Sequence, residues 1–301
     1  MNCQHSILSS EGLLHIEGPD TLTFLQGQTT CDTRELSPAN ALPGVYCTPQ
    51  GRVVCDFLLV ETGEERVALR MRASLLEEAA AVLGKYILFS KAEIVSPEGW
   101  QLAACWGKDA AEALGADFPE LPAGKNQLVR QGELLLIQVD DAGEAFELYS
   151  PAQLPALPGA AAPESQYQAL AIERGEARIE AATSGEFVPQ VLNYDHTGHI
   201  SFTKGCYTGQ EVVARLHYRG KAKRRTYIAD LPPGSTGEPG TPLFLAGKAQ
   251  AAGDLVNLAS DAAGATRALV SCTTDALESG LLLGAGDGPQ VSLTPPPYPL
   301  D

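Results

Sequence analysis

Apolar and polar positions alternate in short runs along most of this chain, and few runs hold a helical period for long. Residues 13–16, 45–48, 53–60, 66–72 and 92–95 read as strands, with Pro49-Gln50-Gly51 turning between the second and third. Glu61-Thr62-Gly63-Glu64-Glu65 breaks the pattern between 53–60 and 66–72 and predicts a hairpin. Asp20 is placed to cap a helix through Phe24 and Leu25 that Gly27 ends. Ser74 and Glu77 have the spacing of a capping box for a helix to about Tyr86, with Leu75, Leu76, Ala79, Val82, Leu83 and Tyr86 on one face. This β-β-α-β order predicts an α+β layer on an antiparallel sheet, not a parallel dinucleotide-binding sheet. A second α+β unit follows, with strands at 102–106, 134–139 and 146–149 and a helix near 108–114. Residues 151–163 are rich in Pro and Ala and read as a surface connector. Residues 166–174 are helical in pattern. Beyond 225, short strand candidates at 226–229, 243–245, 255–258, 268–272 and 281–283 are separated by Gly and Pro, which predicts a small β-barrel or sandwich. Pro295-Pro296-Pro297 predicts an extended tail that carries little information.

Composition narrows the classes. With 301 residues, 44% hydrophobic and 19% charged, the chain can bury two or three globular cores. No apolar run reaches the roughly 18–20 residues of a membrane span, and Met1-Asn2-Cys3-Gln4-His5 lacks the features of a secretory leader. A cytoplasmic protein with no membrane partner is the expectation. The 7 cysteines are scattered without a Cys-x-x-Cys pair, so reduced thiols are expected, and no metal site follows from local spacing. Cys47 and Cys55 are close enough in sequence to meet across a hairpin. Gly284-Ala285-Gly286-Asp287-Gly288 has no βαβ context and is not read as a nucleotide loop.

A net charge of −16 opposes general attraction to nucleic acid. Yet Arg215, Arg219, Lys221, Lys223, Arg224 and Arg225 occur in an acid-free run. That strip suits a local anion, such as a few phosphates or a polyglutamate tail. It has no regularly interleaved aromatics, so direct RNA binding is expected to be weak or absent.

The densest chemistry lies in Lys204-Gly205-Cys206-Tyr207-Thr208-Gly209-Gln210-Glu211. Lys204 stands where it can favour a Cys206 thiolate, and the glycines permit positive φ or close approach. A helix is expected from Gln210 to Leu216, so the thiol lies near a helix start with its unpaired N–H groups. Thr208 and Gly209 flank that start. His196, His199 and His217 lie near Cys206 in sequence, but Thr197-Gly198 breaks the helical spacing that a ligand pair would need.

The same octapeptide resembles the signature of the YgfZ family of folate-binding proteins, which are similar in fold to the aminomethyltransferase (T-protein) of the glycine cleavage system. Gly18-Pro19-Asp20, Phe24-Leu25-Gln26-Gly27-Gln28-Thr29-Thr30-Cys31-Asp32, Thr48-Pro49-Gln50-Gly51-Arg52, Ile172-Glu173-Arg174-Gly175 and Phe187-Val188-Pro189-Gln190 extend the likeness in order. The resemblance implies an α+β, aminomethyltransferase-like fold with antiparallel sheets, helices and a small C-terminal β-barrel. It implies a discontinuous folate-binding domain at 1–48 and 97–224, an inserted ferredoxin-like domain at 49–96, and the barrel at 225–301. It also implies a ring-like arrangement with folate in a central opening.

Tetrahydrofolate, or a derivative, is the cofactor the resemblance implies. Its pterin edge presents an N–H and an amino group side by side, which one carboxylate can accept. By resemblance Glu173 occupies that place. A helix-surface glutamate paired with Arg174 or Arg178 is the plainer alternative. Arg215 and Arg219 are the candidates for the anionic benzoyl-glutamate end, with Lys204 and Tyr207 beside the ligand; Tyr207 or Phe187 can stack on its aromatic middle. Asp56, in Gly51-Arg52-Val53-Val54-Cys55-Asp56, resembles the transferases' catalytic aspartate, an acid/base candidate. The following Leu69-Arg70-Met71-Arg72 departs from their asparagine-containing strand. Cys206 is the second candidate centre, with redox or iron–sulfur chemistry implied. The family function is accessory: support for assembling or repairing iron–sulfur clusters in enzymes, including tRNA-thiolating ones, with those enzymes or assembly factors as partners. The alternative is a folate-dependent aminomethyl or one-carbon transferase.

Overall fold

The computed structural model describes residues 2–97 and 99–300. Strands dominate, as the short alternating runs require, and the chain divides into two compact units. The first comprises Met1–Gly44 and Phe57–Glu164.

Two sheets form there. A five-stranded sheet runs in the order Leu42–Cys47, Val53–Gly63, Arg66–Arg72, Glu11–Glu17, Glu93–Val95. Its last four strands pair antiparallel. Residues 45–47 and 53–56 of its first two strands belong to the second unit. Val53 to Val60 are buried without interruption, which accounts for a nearly unbroken apolar run where a half-exposed strand would alternate. The expected hairpin joins Val53–Gly63 to Arg66–Arg72, with an irregularity at Glu61/Gly63.

The six-stranded sheet runs Ala160–Ala161, Gln4–Ile7, Gln101–Trp106, Ala145–Ser150, Leu134–Gln138, Leu128–Gln131. Its first pair is parallel and the others antiparallel. Cys3, Cys105, Phe118, Leu136 and Phe146 pack on one of its faces with the Ala110–Leu114 helix. The connector at 151–163 therefore supplies an edge strand. Arg70 bonds Glu147 at 2.5 Å, Arg72 bonds Glu11 at 2.8 Å, and all four side chains are nearly buried. Tyr149 donates to Glu147 within the same network. Isolated charges could not stay ionised there; pairing is what makes their burial tolerable.

Helix ends depart from the sequence expectation partly in position and partly in capping. The Thr21–Gln28 helix runs through Gly27 and stops at Thr29, whose N–H and Oγ1 both donate to the Leu25 carbonyl, at 2.9 and 2.8 Å. Asp20 makes no side-chain cap; its carboxylate accepts from the Lys91 amide at 2.8 Å. The Leu76–Ile87 helix is entered through a 3-10 turn, Ala73–Leu75, so the Ser74/Glu77 capping box does not form. Leu75, Ala79, Leu83 and Ile87 form its buried stripe, and Tyr86 faces outward.

The second unit comprises Val45–Asp56 and Ser165–Asp301. It contains the Gln210–Arg219 helix, most of the Glu164–Glu173 helix and two 3-10 turns, Ala181–Thr183 and Pro189–Leu192. A closed antiparallel barrel follows, ordered Arg224–Asp230, Thr266–Thr273, Ala251–Ser260, Pro242–Phe244, Leu281–Leu283, Gln290–Thr294. Tyr227, Leu243, Leu255, Val270, Leu283 and Val291 fill it. Closure leaves no unpaired edge. The Gln290–Thr294 strand escapes sequence reading because only Val291 and Leu293 in it are apolar. The tail is not idle either. The Tyr298 hydroxyl donates to the Gly175 carbonyl at 2.7 Å and accepts from Asn193 Nδ2 at 3.2 Å. Gly175 is at φ +70°, and a Cβ on it would fall 2.7 Å from Pro296 Cβ.

Candidate functional site

The second unit carries every candidate residue named from the sequence. Two glycines set its local geometry. Gly209, at φ +84°, ends the signature loop and starts the Gln210–Arg219 helix. A Cβ there would lie 2.5 Å from the Thr48 carbonyl oxygen. Gly51, at φ +72°, has Val212 Cβ 2.7 Å from where its own Cβ would be. The Thr48–Arg52 turn and the helix start thus approach as backbone against backbone, which only glycine permits on both sides. Gly205 has neither constraint.

On this brace sits the signature cysteine. Cys206 is exposed, whereas Cys3, Cys31, Cys47, Cys55, Cys105 and Cys272 are buried free thiols. Burial pushes Cys47 up to about 12. The Lys204 side chain is buried, and its ammonium lies 5.2 Å from the centre of the Tyr207 ring. That is cation–π distance. Tyr207 is itself buried, and desolvation, with Cys47 beside it, pushes its hydroxyl pKa well up. Both residues thus shape the loop beneath the thiol.

Phe187-Val188-Pro189-Gln190 has a structural reading. Pro189 opens the Pro189–Leu192 turn. Gln190 Nε2 donates to the Val213 carbonyl at 2.8 Å, pinning the helix that follows the signature loop. Phe187 is buried beside a 340 Å³ cleft that Arg52, Glu186, Arg224 and Asp254 also line.

Asp56 points inward and is 2% exposed. One carboxylate oxygen accepts from Arg178 Nε at 2.5 Å, the other from the Ile179 amide at 2.6 Å. Asn257 receives the Arg178 amide at 2.8 Å and donates to the Arg178 carbonyl at 2.9 Å. Tyr194 is fully buried nearby; desolvation first, and the Asp56 charge second, hold its phenol protonated. The sequence offers Arg178 only as an alternative partner for Glu173, because nothing local links it to a strand 122 residues away.

Glu173, at the end of its helix, pairs with neither Arg174 nor Arg178. Arg174 bonds Glu176 at 3.0 Å. The Glu173 carboxylate instead lies 3.8 Å from Arg267 Nε, beyond hydrogen-bond length, and 45% of its side chain is exposed. Arg267 is a barrel residue also bonded to Asp230 and to Asp261. The basic strip is split. Arg224 bonds Asp254 at 2.6 Å and Arg225 bonds Asp195 at 2.7 Å. Arg215, Arg219, Lys221 and Lys223 are exposed and make no ion pair among the described residues. Arg215 and Arg219 line a groove of 510 Å³ with Glu211, Val212, Leu216 and Gly220. Among the described residues no acidic, His and Cys group is arranged to hold a metal. No described helix is long and apolar enough to cross a membrane.

No protein-family model matches the chain. Individual proteins do. The tRNA-modifying protein YgfZ of Edwardsiella ictaluri is 36% identical over 225 residues, spanning 71% of this chain and 67% of that protein. The protein of the same name from Escherichia coli O157:H7 is 35% identical over 228 residues, 73% of this chain and 70% of its own. The one from Colwellia psychrerythraea is 32% identical over 230 residues, spanning 73% and 69%.

The chain belongs to the YgfZ family.

Among solved structures, the glycine cleavage system aminomethyltransferase T of Bartonella henselae superposes with a TM-score of 0.73 at 15% identity, over 97% of this chain and 85% of that one. The YgfZ-family chain therefore has the aminomethyltransferase-like fold, mixed α and β with an antiparallel C-terminal barrel. Its family motifs are in large part scaffold: Gly51 and Gly209 make one contact, Gln190 pins a helix, and Gln26 bonds Asp32 at 3.0 Å and the Thr33 amide at 2.8 Å.

Proposed function

We propose that this YgfZ-family chain acts in tRNA modification as a tetrahydrofolate-binding accessory protein, supporting assembly or repair of iron–sulfur clusters in enzymes that include tRNA-thiolating ones. Iron–sulfur enzymes or their assembly factors are its partners, in the cytoplasm. The domain division at 1–48 with 97–224, 49–96 and 225–301 is carried as part of the same reading. The observation that carries it is Glu173: a half-exposed carboxylate in a region where the other acids are already bonded. Asp56, Asp230 and Asp261 are engaged by arginines or amides, while Glu173 stands beyond hydrogen-bond length from its nearest cation. With its nearest cation 3.8 Å away, that half-exposed carboxylate is placed to accept the paired donors of a pterin edge.

In this reading Glu173 binds the pterin, and Arg215 and Arg219 receive the carboxylates of the benzoyl-glutamate end. Bound tetrahydrofolate would supply a carrier for a one-carbon unit. Lys204 and Tyr207 hold the signature loop in shape, and Cys206 presents its thiol to a partner. The transferase alternative assigns acid/base work to Asp56. Both oxygens of that carboxylate are engaged, so here Asp56 is a positioning residue that fixes the 178–180 segment a few residues beyond Glu173.

Calorimetric titration with tetrahydrofolate tests the ligand. Saturable binding is expected for the native protein and Cys206→Ala, and loss of at least tenfold in affinity for Glu173→Ala. Equal binding by all three would overturn the site. Deletion of the gene tests the physiology: reduced tRNA thiolation is expected, restored by the native gene and not by Cys206→Ala. Turnover of an aminomethyl donor that Asp56→Asn abolishes would favour the transferase.

A further inference from the structure

The basic run has no regular interleaving of aromatics in sequence, but folding gathers two of its own rings, His217 and Tyr218, with Phe202 from outside it. Phe202, which precedes the signature loop, stacks on His217 with ring centres 3.6 Å apart and planes 13° from parallel. Tyr218 meets both edge-on, at 6.3 Å from Phe202 and 4.7 Å from His217. Its hydroxyl donates to the Phe202 carbonyl at 3.4 Å, and its side chain is otherwise in solvent, with the residue 67% exposed. Tyr218 thus presents to solvent an aromatic ring held in place by its neighbours. Arg215 and Arg219 bracket it on the same helix, and Lys221 and Lys223 follow directly.

We propose that this face is a nucleobase-stacking platform for a single-stranded segment of RNA. The proposal takes the choice of RNA over other polyanions from the tRNA-modification reading. Charge argues for the place. On a chain of net charge −16 a polyanion is repelled almost everywhere, and this is where unpaired cations gather. Chemistry argues for the occupant. A folate tail or an acidic peptide asks only for cations. An unpaired nucleotide asks for a cation against its phosphate and a flat ring against its base, alternately along the strand. Duplex RNA would leave the ring unused, since its bases are already stacked. Cys206 lies four residues from Phe202 along the chain. A strand held here would therefore run beside the signature loop.

The test rests on Tyr218, Lys221 and Lys223, which the folate reading does not use. Fluorescence anisotropy would follow a labelled single-stranded RNA of roughly ten nucleotides, a typical footprint for stacking platforms, at about 50 mM salt and upward. Binding is expected, with affinity falling as salt rises. Tyr218→Ala should weaken it about tenfold, the scale of one lost base stack, while Tyr218→Phe retains it. Lys221→Gln with Lys223→Gln should flatten the log–log salt slope by about 1.4, from roughly 0.7 per phosphate on a single strand. Tetrahydrofolate binding should be unchanged in all three variants, so failure of either reading leaves the other measurable. The proposal is overturned by no binding at low salt, by binding indifferent to Tyr218→Ala, or by a polyglutamate competitor that displaces RNA equally well from the native protein and from Tyr218→Ala.

Discussion

Single residues in this chain often answer to contacts that lie far away in sequence. Gly209→Ala is expected to lower stability by about 2 kcal/mol or more, since it adds left-handed strain to a Cβ placed 2.5 Å from the Thr48 carbonyl oxygen. Gly205→Ala, four residues earlier in open space, should be close to neutral. Thermal or denaturant unfolding of the two variants side by side checks this. Arg178→Ala should cost about 3 kcal/mol, the usual consequence of leaving a buried carboxylate without its cation; Arg178→Ala combined with Asp56→Asn should recover part of it. Thiol labelling of the folded protein should modify Cys206 quickly and the six buried cysteines only on unfolding. The label should be absent from Cys206→Ala when read by mass spectrometry. At this scale the sequence was informative about identity and less so about role. Cys206, Gly51 and Gly209 stood out from their neighbours. The roles of Asp56 and Glu173 depended on Arg178 and Arg267, and no local pattern announces a partner more than 90 residues away.

Elements were legible where their own residues decide them and illegible where a neighbour does. The buried strand Val53–Gly63 and the hairpin to Arg66–Arg72 follow from periodicity and a turn of charged and small residues. The helix start at Asp20 was legible, although its side chain turns to the Lys91 amide instead of capping; the start at Ser74 was not, because a 3-10 turn precedes the second helix. The aromatic cluster could be read only in part: His217 and Tyr218 are neighbours in sequence, but Phe202 reaches His217 only once the loop folds back. One strand carries a pH dependence. His15, on Glu11–Glu17, is fully buried against Trp100, and neither ring nitrogen has a hydrogen-bond partner among the described residues. Desolvation, then the Arg66 charge, pull its pKa down to about 4, against the opposing effect of Glu17. The unfolded chain takes up a proton near pH 6.5 and the folded chain does not until about 4, so this group lowers stability as pH falls through that window. His15→Phe should remove that part of the slope in denaturant midpoints measured from pH 7 to 4, even if it shifts the midpoint itself.

For the molecule as a whole, the second unit is not one continuous stretch of chain. Residues 45–56 belong to it, and they bring Asp56 to Arg178 and Gly51 to the Gly209 helix start. A fragment of residues 165–301 alone should therefore fail to unfold cooperatively by calorimetry, barrel notwithstanding. The same fragment mixed with a peptide of residues 45–56 should regain order. A single sharp transition from the fragment alone would show that the early segment is dispensable.

The Tyr298 clasp ties one of the last residues described to one made much earlier. A ribosome that has just made Gly175 must add 123 more residues before the hydroxyl that bonds its carbonyl exists. Until then the glycine, the Asn193 amide and the gap that Pro296 will fill stay open to whatever is nearby. Completion of this unit waits until residue 298 has been made, and a translation product stalled before it would present that gap to the quality-control machinery.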